Sequence, residues 1–456
     1  MLKSKKKYII YLKIKGVFKI KELKKEYLSS YLDSYLADNT NLILENALAN
    51  TELNNLVKRN RRSDTNFNFN VEVKTMKAVS QNKSGRCWIF AATNLLREKI
   101  ANDLEIENFE LSQSYIAFYD RLEKVNYLLE TVIELREVDH DDRTLTYILK
   151  SGLSDGGQWD MFTSLVKKYG VVPKEVMPEN FQSSNTGHVN ALINSSVRAF
   201  AAKVNKIEDE AKVRLIKDTY LDNIYRLLLR SYGVIPTYFD FEYTDKSGVY
   251  HKDSGLTPNT FYDKYLGDYI DQFVSIINSP TKDKSFSKTF TIKYLGNVVG
   301  ESITYLNLPI KRLDELVVKQ LESNTPVWFG CDCSVFGSRS EGVWAPEYYD
   351  YEKTFDLTLG TNKEDNLDFY QSEVNPAMLF TAVNLNDSGL SNRYKIENSW
   401  GEKSGNNGYF VGTKRWFDEY VYQVVVSKKF PKESELKALD EKPITLDPWD
   451  PMGTLA

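Results

Sequence analysis

The stretch "SQNKSGRCWIF", residues 80–90, sets a cysteine between a Gly-Arg pair and an apolar run. The run continues as "AATNLLREKIANDLEI", and Trp88, Ile89, Ala92, Leu95, Leu96 and Ile100 recur at helical spacing. Cys87 is therefore expected in the first turn of a helix. Amides and the positive end of the dipole at such a position lower a thiol pKa from about 8.5 and favour thiolate. Considered alone, Cys87 is either a small buried hydrophobe or a nucleophile. The residues that accompany it decide between the two.

Composition narrows the setting. A chain of 456 residues with 42% hydrophobic and 27% charged residues is an ordinary globular protein, long enough for one elaborated domain or two or three smaller ones. Its 29 Tyr and 23 Phe argue against disorder. A net charge of -4 gives no reason to expect nucleic acid or an anionic membrane as partner. Three cysteines are too few for a disulfide framework. Cys331 and Cys333, in "WFGCDCSVF", lack the second pair that zinc would want, and read as half-buried thiols of a reducing cytosol. No metal and no cofactor is expected. The opening 25 residues hold ten Lys and one Glu around a short "YIIYL" core, too short for a signal peptide, so residues 1–20 read as a basic extension. No run reaches the 18 or so apolar residues of a membrane span, and a cytoplasmic location is expected.

Along the chain, 21–75 reads as helix followed by extended chain, with a turn near Asp38-Asn39. Residues 76–200 read as a helical lobe carrying Cys87, and 201–288 as a helical insertion. In that insertion, 207–232 is a helix ending on Gly233, and "TPNTFYDKYLGDYIDQFVSIINSP" is a capped helical run. From 289 to 430 the chain turns β-rich, with "KTFTIKYLGNVV", "TPVWFGCDC", "AMLFTAVNL", "RYKIENSW", "GYFVGTKRWF" and "YVYQVVVSKKF" separated by turn residues. Residues 431–456 form a proline-punctuated, extended C-terminal arm. A helical front on a β-rich back is the α+β class.

Three features keep company with Cys87. Gln81, six residues earlier, carries an amide that could donate to an oxyanion near the sulfur. Gly156 and Gly157, in "SDGGQWDM", leave room for a substrate backbone. Asn398 and Trp400, in "ENSWGEKSGNNGYF", supply an amide with an aromatic cover, as a Cys-His-Asn arrangement uses to orient an imidazole. Together these resemble the papain-like cysteine peptidases. "QNKSGRCW" (81–88) and the ending "PWDPMGTLA" (448–456) narrow the resemblance to the bleomycin hydrolase / aminopeptidase C branch. "KYGVVPK" (168–174), "LTPNTFYDKYLG" (256–267), "KYLGNVVG" (293–300) and "VWFGCD" (327–332) fit the same order.

That resemblance implies a two-lobe fold, a helical lobe plus a β-barrel-like lobe, with helical insertions and a C-terminal arm lying in the cleft. It implies removal of N-terminal residues from peptides in six-subunit rings. Cys87 matches the nucleophile, Gln81 the oxyanion donor, Asn398 the residue that orients the histidine, and Trp400 its cover. Gly156 and Gly157 match the glycines that hold substrate backbone. Ala456, as last residue, would set its carboxylate against a substrate α-ammonium.

The base is what the sequence lacks. Where the family carries a run like "QSLMTHAM", this chain reads "QSEVNPAM" (371–378), so Pro376 stands in the histidine's place. Around it Glu373 replaces an apolar residue and Asn375 a threonine, and a buried catalytic strand would not readily accept Glu373 if the site were intact. His140, His188 and His251 all lie elsewhere and read as surface residues. Two functions stay open: an aminopeptidase that is inactive or strongly impaired, and a non-catalytic, ring-forming protein that binds peptide N-termini or joins active paralogous subunits.

Overall fold

The computed structural model describes residues 20–59 and 65–455, which fall into two units, one ending at Arg59 and one starting at Asn60. The basic run 1–19 and Ala456 lie outside the described residues. Among the described residues, the first unit contains the helices Lys25–Leu36, Asn39–Asn50 and Leu53–Val57. Asp38 breaks the chain between the first two because its carboxylate accepts from Thr40 N, 2.9 Å away, and starts a new helix.

The second unit begins with near-extended chain and then the helix Cys87–Asp103. Further helices run Gln113–Glu134, Arg143–Ser151, Trp159–Tyr169, Gly187–Val204 and Glu210–Tyr232. The last is capped by Asp209 and stops at Gly233, whose φ of 98° is a conformation that favours glycine. The strands are β1 (Val71–Glu72), β2 (Phe239–Thr244), β3 (Tyr250–Leu256), β4 (Phe273–Ile277), β5 (Thr289–Ile292), β6 (Tyr305–Asn307) and β7 (Val327–Cys331). They continue as β8 (Gly337–Ser338), β9 (Val343–Trp344), β10 (Ala377–Leu385), β11 (Ser391–Glu397), β12 (Tyr409–Thr413), β13 (Val421–Ser427) and β14 (Ile444–Leu446). Twelve of them form one mixed sheet in the order β14-β5-β6-β4-β13-β7-β10-β11-β12-β9-β8, with β1 on β10; β2 and β3 form a hairpin. The class is α+β.

β7 and β10 read as unbroken apolar runs because both faces of the sheet are covered. Trp328, Ala377 and Leu379 pack into the cluster that holds Cys87 and its helix. Val327, Phe329, Met378 and Phe380 pack on the opposite side with Leu313, Leu316 and Val317 of the helix Ile310–Glu322. The helix that carries the thiol is thus seated on the strand that begins at position 377.

Several expectations are corrected. The span 201–288 is not purely helical: it contains the β2–β3 hairpin and β4, a fully buried strand of the main sheet. The helix capped by Thr257 ends at Tyr265, and "QFVSII" is strand because apolar residues on both faces let it pair with β13 and β6. "KRWFDEY" is a helix, Lys414–Tyr420, started by the Thr413 cap, with Trp416, Phe417 and Tyr420 on its buried side. The arm is not free extended chain: β14 pairs parallel with β5, and Pro451–Gly453 makes a turn of 3₁₀ helix. Cys331 is fully buried in β7, while Cys333 lies past its end. No helix among the described residues is long and apolar enough to cross a membrane.

Candidate functional site

The loop before Cys87 is held from two sides. Arg86, completely buried, makes paired hydrogen bonds of 2.9 Å to both oxygens of Glu179 and donates to Ser84 Oγ. Gly85 N donates to Asp155 Oδ2 at 2.8 Å, and Trp88 Nε1 donates to Asp155 O at 2.7 Å. Burial alone would raise the Asp155 carboxyl. Arg121, Thr186, Asn190 and the Gly85 amide outweigh it and hold the group below the usual carboxylate range. Gly157 follows because Trp88 fills its place: a Cβ there would sit 2.7 Å from the indole. Its missing side chain therefore serves the packing of Trp88 as well as the cleft.

Cys87 is the first residue of its helix, as expected, yet the expected thiolate does not follow. Its Sγ accepts from Ala377 N at 3.4 Å and lies 4.0 Å from Gly85 O. Burial pushes the thiol up, against the opposing pull of the amides of Ala377, Trp88 and Cys87 itself, and Asp155 adds to the rise. The helix start is real, but desolvation exceeds its effect.

Pro376 precedes the amide that meets the sulfur, and it is buried at the mouth of β10. Asn375 fixes this corner: its Oδ1 accepts from Cys333 N at 3.1 Å and its Nδ2 donates to Asp332 Oδ1 at 2.8 Å. Asp332 in turn accepts from Ser372 Oγ at 2.8 Å. Glu373, expected at a buried strand position, is exposed in the loop before β10 begins.

On the other side, the antiparallel register Leu379↔Glu397 carries Asn398 past β11 alongside the start of β10. Asn398 is buried; its Oδ1 accepts from Ser399 N at 2.7 Å and its Nδ2 has no partner among the described residues. Gln81 is stitched to the same segment, its N donating to Ser399 O at 2.8 Å and its Oε1 accepting from Ser399 Oγ. Gln81 Nε2 donates to Ser84 O. Trp400 is bridged to Ser80 and packs with Trp344 and Phe410 under the Arg339 guanidinium. Gln81 and Cys87, from one segment, are therefore joined by Pro376 and Asn398 from two others.

No histidine joins them. His251 lies in β3, stacked on Tyr243 and 2.8 Å from Asp245 Oδ2. His140 and His188 are exposed, away from the sulfur's partners.

A cavity of about 380 Å³ opens beside Gly156 and Gly157, closed on one side by the arm residues Pro448, Gly453 and Thr454. The arm is anchored by a buried ion pair, Lys284 Nζ to Asp450 Oδ2 at 2.8 Å, and by Trp449 stacked under Arg143 at 3.7 Å. Thr454 Oγ1 donates to Val374 O at 3.2 Å, so the arm reaches the segment before Pro376. Leu455 is buried in the cluster that contains Cys87. Nothing in the residues themselves signals that Asp155, Glu179 and Lys284 support this corner, since each acts on a residue tens of positions away. A buried salt bridge between distant segments carries no local pattern.

The model of the peptidase C1-like family matches residues 22–453. Aminopeptidase C of Listeria monocytogenes serovar 1/2a is 43% identical over 390 residues, 85% of this chain and 88% of that protein. Aminopeptidase C of Streptococcus thermophilus is 39% identical over 419 residues, 91% of this chain and 94% of its own. The crystal structure of PepW from Lactobacillus rhamnosis HN001 superposes with a TM-score of 0.93 at 39% identity, covering 95% of this chain and 99% of that one.

Proposed function

The chain belongs to the peptidase C1-like family, and from that membership we propose that it keeps the peptide groove of a cysteine aminopeptidase while amide turnover is lost or strongly impaired. One observation carries this reading: the amide of Ala377 touches the Cys87 sulfur, and the residue just before it is Pro376. A proline side chain neither gives nor accepts a proton. Asn375 beside it does not titrate near neutrality, and its amide is already held by Cys333 and Asp332.

Amide hydrolysis needs a base twice, to generate the thiolate and to protonate the departing amine. Positioned acid–base catalysis contributes about 10²–10⁴-fold, and this chain forgoes at least that. Acylation by a reactive ester, whose leaving group needs no proton, survives weakly. The ligand is a peptide N-terminus lying along Gly156 and Gly157. Gln81 acts as oxyanion donor by its second amide N–H, and Trp400 covers Asn398. The same reading has the chain in a cytoplasmic six-subunit ring, alone or with active paralogues, which light scattering of the full chain measures.

Hydrolysis of a fluorogenic aminoacyl amide tests the proposal. The unmodified protein is expected to be near blank. Turnover at rates ordinary for a peptidase, abolished by Cys87→Ala, would overturn it.

A further inference from the structure

The cavity beside Gly156 and Gly157 has only two charged side chains among the described residues that line it, Lys124 and Glu373. Lys124 is spent. Its ammonium donates to Gly156 O, lies 3.3 Å from Ser154 O, and pairs with Asp120 Oδ2 at 2.7 Å. Glu373 makes no hydrogen bond and no ion pair with any described residue. The charged group it feels is Asp332, which is also negative. Tyr127, Tyr147 and Tyr294 also line it, and aromatic rings attract cations. A volume of about 380 Å³ falls within the usual range of small-ligand sites, even with the arm in place.

Resting on the peptide-binding reading above, we infer that Glu373 makes this cleft selective for a cationic nitrogen of the bound peptide, with its carboxylate as the counter-ion. An uncompensated carboxylate facing a concave wall gains a charge-assisted hydrogen bond only when the ligand brings the cation. Glu373 lies three residues before Pro376, and Gly157 packs on Trp88, the residue after Cys87. The cation recognised is therefore one near the peptide's first residues. It is supplied by a lysine or arginine side chain or by the α-ammonium, and both present the same chemistry.

Calorimetric titration of the full chain separates these sources. Lys-Ala-Ala, norleucine-Ala-Ala and their N-acetyl forms serve as probes. Lys-Ala-Ala is expected to bind about tenfold tighter than N-acetyl-norleucine-Ala-Ala, a ratio that Glu373→Gln brings close to one. Loss on the norleucine exchange assigns the side chain; loss on acetylation assigns the α-ammonium. Because Glu373 is exposed, Glu373→Gln should melt with the parent. Glu373→Lys, at matched Tm, should bind Lys-Ala-Ala more weakly than the Gln variant. Peptide binding that ignores both charge and Glu373 overturns this inference and leaves the groove standing. Failure of all four peptides to bind overturns the peptide-binding reading itself.

Discussion

Placing an imidazole at position 376 with Pro376→His is the most informative perturbation of this site. Position 376 directly precedes the amide that meets Cys87 Sγ at 3.4 Å, which puts a ring there close to the sulfur in the chain. Asn398 waits on the far side, buried, with its Nδ2 unpartnered. Asn375 is best left alone in the first variant, because its side chain holds both Asp332 and Cys333 N. A positioned acid–base group is worth about 10²–10⁴-fold, or roughly 3–5 kcal/mol of barrier. The lower end is expected, since the Asn398 amide must turn to accept from the ring. The assay is kcat/KM on an aminoacyl amide, with Cys87→Ala in the same background as control. The pH profile should acquire an ascending limb from the thiol, lowered by the imidazolium, and a descending limb above the ordinary imidazole value of about 6.5, where the imidazolium loses its proton. A gain below tenfold, with Tm unchanged and the thiol still open to alkylation, would refute the claim that the missing ring limits turnover.

Two further outcomes are expected. Glu397 is fully buried beside Arg97 and Glu98, and burial pushes its carboxyl up to about 7, above the 4.5 it has unfolded. The folded state thus binds the extra proton, so stability falls as pH rises from about 4.5 through 7. Glu397→Gln should flatten that slope by roughly 2–4 kcal/mol in urea melts at pH 5 and 8, and an unchanged slope would contradict it. Lys284→Met leaves Asp450 buried without its partner, a loss of about 3–5 kcal/mol that falls first on the arm. Alkylation of Cys87 and proteolysis of the arm should both accelerate, and protection equal to the parent's would show that β14 and Trp449 suffice.

Much of this was legible in the residues because the signals are local. Helical spacing after Cys87, the glycine that stops the helix at 232 and the apolar runs of β7, β10 and β13 each announce themselves within ten residues. What stayed hidden is non-local. β4 reads as the tail of a helix until β13 and β6 flank it, because a five-residue stretch with apolar residues at four positions is too short to show a period. Gly157 reads as room for a ligand, and only the fold shows the indole of Trp88 in that space. Asp155 sits inside a quoted motif, yet its partners Gly85, Arg121, Thr186 and Asn190 come from three other segments. Glu373 looked like damage to a buried strand and lies instead exposed, in the loop before β10.

The largest reversal concerns the sulfur, and it bears on what the imidazole does in such a site. A helix start contributes roughly 0.3–2 kcal/mol toward an anion. Three amides point at Cys87 Sγ, and still burial holds the thiol above its ordinary value. Amides stabilise a thiolate only as far as they replace water, and here burial removes more than the amides return. A cationic neighbour acts differently, because its Coulomb attraction grows as the dielectric falls. The same burial that suppresses the thiolate in this chain would strengthen an ion pair once Pro376→His supplies the partner. Alkylation of Cys87 should therefore begin at lower pH in that variant than in the parent. A parent thiol that already reacts fully at pH 6 would mean that some other cation stands beside it.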